Sequence, residues 1–482
     1  MLGSRGLESI VAAARVSTYW WMTALPLSGY DGPNRLTKSM EQKRQMGLAA
    51  AVAVVTGESI ALGIFLTPAA MAKSLGSPAL LAAVWCGMAV MALAGALCYS
   101  ELAVRYPLAG GEYVYLREGY GPRVAFLYGW MSAAVIDPGI AAALAFGAIP
   151  YVQAIFAISP RTAALLPFAL LTVLGAINYL GTRLSGRVMA TANLLKLAVL
   201  FGLVAWAFMS GHASTANLLP LTTRRPGSDI LFGAVAGSVV NAFFSFGGWW
   251  EAGKLAGEIR NPRRTLPLAF TCGVLLVSAI YLLVSFAFLA VVPLDKIVSN
   301  TAFVAQFGQA LFGSAGGKIL SACVLLSVTG GLMALTMAAP RVYYAMAKDG
   351  AFFSIFARLH PRFGTPANAV LLQTCGALLI LLFGAFDKIL AYIIFSAVCF
   401  LALSVTTLFR VKDPVRRWWY PAAPIVYLAG SAIVGLLILM HSPLPALIGV
   451  AVVLAGGPLQ RFFAPAQPLR AAETPVTESS LL

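Results

Sequence analysis

The stretch Thr56-Gly57-Glu58-Ser59-Ile60-Ala61-Leu62-Gly63-Ile64-Phe65 interrupts the first apolar segment of the chain with two glycines. A second interruption, Phe244-Ser245-Phe246-Gly247-Gly248-Trp249-Trp250, lies five apolar segments later. A bilayer holds no water to satisfy free backbone groups, so an unwound turn inside it must line a cavity or lie buried in protein. Glycine-interrupted helices at matching places in two halves of a chain predict an inverted-repeat transporter with its binding site at the breaks.

The composition around these breaks predicts an all-α polytopic membrane protein. Of 482 residues, 60% are hydrophobic and 10% are charged, whereas soluble domains carry about 25% charged residues. The apolar stretches are near the length that spans the hydrocarbon core as a helix, which excludes a soluble enzyme and a disordered chain. Twelve membrane segments are predicted, at 47–72, 79–103, 123–157, 162–180, 188–210, 230–256, 266–292, 317–346, 367–385, 387–409, 420–440 and 443–463.

The distribution of Lys and Arg predicts the orientation of the chain. The formal net charge is +16. Loops that are rich in Lys and Arg alternate along the chain with loops that have few of them. If residue 46 is cytoplasmic, the inner loops hold about three times as many Lys and Arg residues as the outer loops. This count treats Lys254 and Arg341 as loop residues. We therefore expect both termini in the cytoplasm and a multi-pass protein of the plasma or inner membrane.

The backbone at the two breaks has the chemistry to bind a zwitterion. A half-helix that begins near Gly63 presents free N–H groups and the positive end of a helix dipole, which suit a carboxylate. The carbonyl groups near Thr56–Glu58 and Phe244–Phe246 suit an ammonium group, so an amino acid satisfies both sets. The alternative is that these glycines only allow close packing of membrane helices.

Several motifs in the same order give the chain a family resemblance. It resembles amino acid permeases of the amino acid–polyamine–organocation (APC) superfamily, most nearly the L-type and bacterial amino acid exchanger branch. The matching stretches are Gly57–Pro68, Gly95–Leu102, Pro107–Tyr115, Glu258–Pro267, Arg341–Gly350 and His360–Phe363.

The resemblance implies a LeuT-like fold of five-plus-five inverted repeats with two extra helices and alternating access. On that basis the predicted parts are an N-terminal cytoplasmic or interfacial segment at 1–45, a first repeat at 46–210, a second repeat at 230–410, two further helices within 418–463 and a disordered tail at 464–482. The first of these parts is interpreted either as an interfacial segment or as an over-long gene start.

The resemblance also assigns roles to residues at the breaks. Ser59, Ala61, Leu62 and Gly63 match the carboxylate-binding turn, and Phe244 matches the aromatic residue that closes over substrate. Ala61 replaces the usual glycine and Leu62 replaces a frequent serine, which predicts a tighter site. The predicted substrate-binding residues are Thr56, Gly57, Ser59, Ile60, Ala61, Leu62, Gly63, Phe244, Ser245, Phe246, Gly247 and Trp249.

Charged residues inside apolar segments are costly and usually mark function. Lys196 resembles the fifth-helix lysine of sodium-independent relatives, whose ammonium takes the place of a sodium ion and ties helix 1 to helix 8; the alternative is a lysine that snorkels to the interface. Glu58 either caps free N–H groups and pairs with a cation such as Lys196, or it titrates and favours protons or cationic substrates. Asp137 is open to the same two readings, with stabilisation of a proline kink as the structural one, and Glu251 is a candidate gate residue with a loop arginine.

The leading hypothesis is a secondary transporter or antiporter that moves amino acids without sodium. The alternatives are a polyamine or cationic amine transporter on the same fold, and a membrane amino acid sensor that does not transport. No spacing of residues suggests a catalytic cluster, a metal site, a cofactor or a nucleotide-binding loop. The expected partners are the small-molecule substrate and the lipid bilayer, with no nucleic acid and no accessory subunit implied.

Overall fold

A computed structural model describes residues 44–156, 158–297, 303–383, 386–411, 417, 419–441 and 443–463. The predicted N-terminal segment, apart from Arg44 and Gln45, and the predicted tail at 464–482 lie outside these residues.

The first half of the described chain folds into nine α-helices. They are α1 Leu48–Ser59, α2 Gly63–Leu75, α3 Pro78–Arg105, α4 Glu112–Tyr120, α5 Pro122–Met131, α6 Asp137–Gly147, α7 Ile149–Ile155, α8 Pro160–Tyr179 and α9 Thr182–Met209.

Ten α-helices follow in the second half of the described chain. They are α10 Leu231–Phe246, α11 Glu251–Lys254, α12 Pro262–Val291, α13 Gly308–Phe312, α14 Gly316–Ala338, α15 Pro340–Lys348, α16 Ala367–Phe383, α17 Phe386–Thr406, α18 Ala422–His441 and α19 Pro443–Phe463.

These helices confirm the predicted all-α membrane fold. Within the described residues, nine helices or helix runs are long and apolar enough to cross a bilayer, and the bent pair α1–α2 brings the number to ten. Two shorter apolar helices, Ala367–Leu382 and Ile393–Phe409, add to these. All twelve predicted segments fall on these spans and shorter helices, while the division into five-plus-five repeats stays a prediction.

Local sequence signals set several helix ends. Ser77 and Ser159 each stand before a proline and accept a backbone N–H bond at the start of α3 and α8, at 3.4 and 3.2 Å. This arrangement satisfies an N–H group that has no partner within the helix. Gly76 ends α2 in the left-handed conformation, with φ of 67°, which glycine adopts without steric cost.

Small residues allow α1 and α14 to cross closely beside the first break. A Cβ atom on Gly57 would lie 3.0 Å from Cβ of Ala334, and one on Gly331 would lie 2.8 Å from Cβ of Ala61. Backbones that approach this closely are typical of helix pairs in membranes, where packing rather than the hydrophobic effect drives association. Gly57 therefore has a packing role in addition to its place next to the break.

A short π-helical turn, Ser132–Ile136, separates α5 from α6. It directly precedes Asp137 and Pro138, which begin α6. Such turns insert an extra residue into a helix and occur often at functional sites. The turn brings Ser132 against Asp137, and both side chains are buried in the bundle.

Candidate functional site

The first predicted break is present in the structure. Helix α1 ends at Ser59, and the N–H group of Ile60 makes the last bond of this helix, to the Thr56 carbonyl at 3.0 Å. Ile60 itself has φ of −107° and ψ of 61°, outside the helical region. Helix α2 begins at Gly63, and the two axes differ by 43°.

The second break lies between Phe246, where α10 ends, and Glu251, where α11 begins. Gly248 has φ of 97°, a conformation that disfavours any residue with a Cβ atom. A Cβ atom on Gly248 would also lie 2.5 Å from Cβ of Glu58. The two breaks are therefore in direct contact, and glycine is required for that contact.

A buried tyrosine joins the two breaks. The Tyr281 hydroxyl on α12 donates toward the Ser59 carbonyl at 3.1 Å and toward the Ser245 carbonyl at 2.9 Å. Its ring packs against Trp85 and Phe246, with centroid distances of 4.7 and 5.3 Å. Sequence reasoning missed Tyr281, although a buried tyrosine in a membrane helix is itself a signal, because its hydroxyl needs a partner.

A cavity of ≈ 70 Å³ lies where the two breaks meet. Its wall comes from α1, α2, α6, α10, α17 and the turns between them. The lining residues are Glu58, Ala61, Leu62, Gly63, Ile140, Leu144, Phe243, Phe244, Ser245, Gly247, Trp250, Ile393, Ile394 and Ala397.

Half of the predicted substrate-binding residues line this cavity, and the other half lie in the packing behind it. Those in the wall are Ala61, Leu62, Gly63, Phe244, Ser245 and Gly247. Those not in the wall are Thr56, Gly57, Ser59, Ile60, Phe246 and Trp249.

The two tryptophans after the second break have different surroundings. Trp249 is 3% exposed and packs against Tyr99, Phe270 and Tyr427, whereas Trp250 lines the cavity. Only Trp250 of the pair therefore faces the site.

Two uninterrupted helices supply wall residues that the sequence did not indicate. Ile140 and Leu144 come from α6, and Ile393, Ile394 and Ala397 come from α17. The residues from α17 sit in an apolar run, where no glycine, charge or motif distinguishes a cavity wall from packing, whereas Ile140 directly follows the Asp-Pro-Gly sequence that begins at Asp137.

A second cavity, of ≈ 550 Å³, lies on the α2 side of the break. Leu62, Ile140, Leu144 and Phe244 line both cavities and so form the layer between them. Phe244 thus lies between the small cavity and the larger one, and its role in closing over substrate stays a prediction.

The residues just before α1 pair with the segment that follows α11. Met46 donates its N–H group to the Glu258 carbonyl at 3.0 Å, and Arg260 donates to the Met46 carbonyl at 2.8 Å. The Arg341 guanidinium forms an ion pair with the Glu258 carboxylate at 2.7 Å, with both side chains at most 3% exposed. Arg341 is therefore buried, and its assignment as a loop residue was wrong.

Lys196 reaches the first break from α9. Its ammonium donates to the carbonyl oxygens of Thr56, Gly57 and Ile60, at 3.3, 3.0 and 2.8 Å. The side chain is 1% exposed, which excludes the snorkelling alternative. A Cβ atom on Gly330 of α14 would lie 3.8 Å from the ammonium nitrogen.

This position makes Lys196 a cap for the carbonyl end of α1, where a positive charge is favourable. The expected pairing of Lys196 with Glu58 is not among its contacts, because the three hydrogen bonds of the ammonium go to backbone oxygens. Asn193, one turn earlier on α9, donates to the Thr56 hydroxyl at 2.6 Å. Helix α9 thus holds the end of α1 at two points.

Asp137 and Glu251 share a single buried cation. The Lys254 ammonium lies 3.1 Å from Asp137 and 2.8 Å from Glu251, and all three side chains are at most 2% exposed. Ser132 and Tyr343 also donate to Asp137. The assignment of Lys254 to a loop was therefore wrong, and the partner of Glu251 is Lys254 rather than a loop arginine.

The sequence could not indicate this burial, because Lys254 lies near basic loop residues in the chain. Only the second break and the short helix α11 bring Glu251 and Lys254 onto one face and turn both toward α6. An Asp-Pro-Gly sequence at Asp137 was a signal for a buried carboxylate, but it did not identify the partner.

Comparison with known proteins agrees with this architecture. The family model described as Amino acid permease matches residues 46–464. The Serine/threonine exchanger SteT of Bacillus subtilis (strain 168) is 30% identical over 431 residues, which cover 86% of this chain and 96% of that protein.

Mammalian transporters are also similar to the chain. The human b(0,+)-type amino acid transporter 1 is 27% identical over 381 residues, covering 78% of this chain and 77% of that protein. The mouse Asc-type amino acid transporter 1 is 29% identical over 436 residues, covering 86% and 80%.

Proposed function

The chain belongs to the amino acid permease family, and from this premise we propose that it exchanges neutral amino acids across the membrane without sodium. It is an integral multi-pass membrane protein and an amino acid permease rather than an enzyme. The substrate class, the ion independence and the site residues are the parts that we propose.

The observation that carries the proposal is that both helix breaks border one cavity. At the start of α2 the wall includes Gly63, whose N–H group belongs to the first turn of a helix and has no intrahelical acceptor. At the end of α10 the wall includes Phe244 and Ser245, whose carbonyls accept from the Gly247 N–H group at 3.1 Å and from the Tyr281 hydroxyl at 2.9 Å; each carbonyl oxygen can accept a second hydrogen bond. The donors suit a carboxylate and the oxygens suit an ammonium group.

The rest of the wall supports a neutral substrate side chain. Ile140, Leu144, Ile393 and Ile394 offer only hydrocarbon, and an ion would lose its hydration against them without compensation. The relatives include a protein named as a serine/threonine exchanger. We therefore expect small or medium neutral amino acids as substrates.

Sodium independence rests on Lys196. Sodium needs several oxygen ligands, and the carbonyls of Thr56, Gly57 and Ile60 already accept hydrogen bonds from the Lys196 ammonium. The positive charge of the Lys196 ammonium thus takes the place of a bound sodium ion.

A cationic amine or polyamine is the second candidate substrate. Glu58 lines the cavity, and a carboxylate there would attract a second positive group. Competition distinguishes the two, because neutral amino acids inhibit uptake if the first proposal holds, whereas arginine or putrescine inhibits it if the second does.

The test is uptake into proteoliposomes that contain the purified chain alone. We expect labelled L-serine to enter liposomes preloaded with unlabelled L-serine, equally in sodium and in choline buffer. Binding of L-serine without any flux would instead support a sensor. Uptake that needs a second protein would show an accessory subunit that the sequence does not imply.

Orientation is part of the proposal as well. Both termini are expected in the cytoplasm, from the excess of Lys and Arg on that side. The test is a tag at each end of the chain. Tags that an antibody reaches only after the cells are permeabilised would support this orientation.

A further inference from the structure

A group of charged side chains lies beside the substrate cavity, and all of them are buried except Glu58, which is half-buried in the cavity wall. We name it the Lys254 cluster, and its members are Glu58, Glu112, Asp137, Glu251 and Lys254. They come from four elements that the chain separates widely, which are α1, α4, α6 and α11.

The cluster has more negative groups than positive ones. The ammonium of Lys254 pairs with the carboxylates of Asp137 and Glu251, and two further acids, Glu58 and Glu112, lie near it. The neighbouring ammonium of Lys196 donates its hydrogen bonds to backbone oxygens. Four ionised carboxylates would leave uncompensated negative charge in a membrane interior, which is far more costly than protonation.

The hydrogen bonds of the cluster are also incomplete. Glu251 and Glu112 are 2% and 0% exposed, and each has one carboxyl oxygen without a hydrogen-bond partner among the described residues. The other Glu112 oxygen accepts from Tyr128 at 3.1 Å. Buried carboxyl oxygens without donors are rare. They indicate that the cluster takes up protons.

Glu58 is the member through which a proton can reach the cavity. It alone of the four acids lines the cavity wall, and its Oε2 atom has no hydrogen-bond partner in the described part of the chain. Unlike Asp137 and Glu251, Glu58 is outside ion-pair distance of Lys254.

The titratable groups in and around the cluster, apart from Glu58 itself, come from seven helices. These are Glu112 of α4, Tyr128 of α5, Asp137 of α6, Lys196 of α9, Glu251 and Lys254 of α11, Tyr281 of α12 and Tyr343 of α15. Helix α14 presents the glycines Gly330 and Gly331 at this point.

We propose that the Lys254 cluster is a proton-binding site whose exchangeable proton is on Glu58, and that amino acid binding releases it. The substrate ammonium enters beside Glu58, the Glu58 O–H bond breaks, and the proton leaves to water. The carboxylate that remains then compensates the ammonium. The carrier thus holds either a proton or an amino acid, so it exchanges one for the other; this inference rests on the proposed amino acid transport.

The sign of the pH dependence follows from this competition. Protonated Glu58 excludes the substrate ammonium, so lowering the pH weakens binding and raising it strengthens binding, until Glu58 is fully ionised. For one linked proton the dissociation constant rises by at most about tenfold for each pH unit.

The experiment measures L-serine binding to the purified full chain by calorimetry, in two buffers of different ionisation enthalpy. Between about pH 5.5 and about pH 8 we expect release of up to about one proton per bound serine and weaker binding at the acid end. Glu58→Gln carries an uncharged amide in place of the protonated acid, so it should bind serine as weakly as the wild type does at the acid end, with no proton release and with a dissociation constant that does not depend on pH. Glu118→Gln, at an exposed glutamate of α4, is the matched control and should behave as the wild type.

Each outcome separates this inference from the proposed function. Wild-type protein that binds serine without proton release overturns the proton site but leaves amino acid transport intact. Proton release that persists unchanged in Glu58→Gln overturns the assignment to Glu58. Failure of the wild type to bind or move any amino acid of the neutral set contradicts the proposed function itself. If Glu58→Gln does not fold, proton release by the wild type still decides the proton site.

Discussion

At the residue scale, Gly248 is the position where the addition of one carbon atom should have the largest effect on stability and transport. Its φ is 97°, and an added Cβ would lie 2.5 Å from Cβ of Glu58. We expect Gly248→Ala to lower the free energy of unfolding by about 1–3 kcal/mol and to abolish uptake, because the two breaks can no longer touch. Gly87→Ala, in α3 with nothing within 4 Å of its added Cβ, is the control; equal thermal stability and uptake of both variants would contradict this role.

Lys196 is the second position where one side chain decides function. Lys196→Ala removes the ammonium from the three carbonyl oxygens at the end of α1. We expect loss of serine uptake, in sodium and in choline buffer alike, because no other donor reaches these oxygens from α9. Normal uptake by this variant would contradict the proposed role, and Lys318→Ala, at an exposed lysine of α14, should retain full activity.

At the scale of elements, the three helices α1, α10 and α12 meet at one hydroxyl group. Tyr281→Phe leaves the Ser59 and Ser245 carbonyls without this donor. We expect a loss of about 1–3 kcal/mol in the free energy of unfolding, the usual effect of an unsatisfied buried polar group, and slower transport from a less firmly held pair of breaks.

Tyr115→Phe is the matched control for this variant. Tyr115 is also fully buried, but its hydroxyl has no hydrogen-bond partner among the described residues. Its removal should leave stability unchanged or raise it. If both tyrosine variants have the same melting temperature, the hydroxyl of Tyr281 does not hold the breaks together.

At the scale of the whole molecule, the buried pair Arg341–Glu258 joins the α14–α15 region to the chain after α11. Arg341 also donates to Thr182 at 3.0 Å, so it contacts the start of α9 as well. We expect Glu258→Gln to destabilise the protein by about 3–5 kcal/mol, because it leaves a buried guanidinium without its counter-charge. Thermal unfolding measures the loss, and Glu118→Gln at the exposed pair with Arg117 should change stability by about 0–1 kcal/mol.

The double variant Glu258→Leu with Arg341→Met tests whether the pair acts as a unit. Replacement of both partners by apolar groups removes the uncompensated charge, so we expect much of the stability to return. Additive losses from the two single changes would show that the residues act independently.

The sequence by itself determined the class of protein, the twelve apolar segments and the places of both helix breaks. These properties are local, because the length of an apolar run and the position of a glycine within it act on the chain wherever the run lies. For the same reason the sequence indicated Gly63 and the deep position of Lys196 before any contact was known, whereas the roles expected for Phe244 and Lys196 came from the family resemblance.

Only the tertiary structure decided which residues face the cavity and which charges share a partner. Trp250 lines the cavity whereas Trp249 packs behind it, and the wall residues of α17 reach the site only through the packing of helices that are distant in the chain. Lys254 lies among basic loop residues in the chain but between Asp137 and Glu251 in the fold. A buried charge is stable only next to groups that compensate it, and those groups lie far away in the sequence, so their meeting is a property of the folded chain.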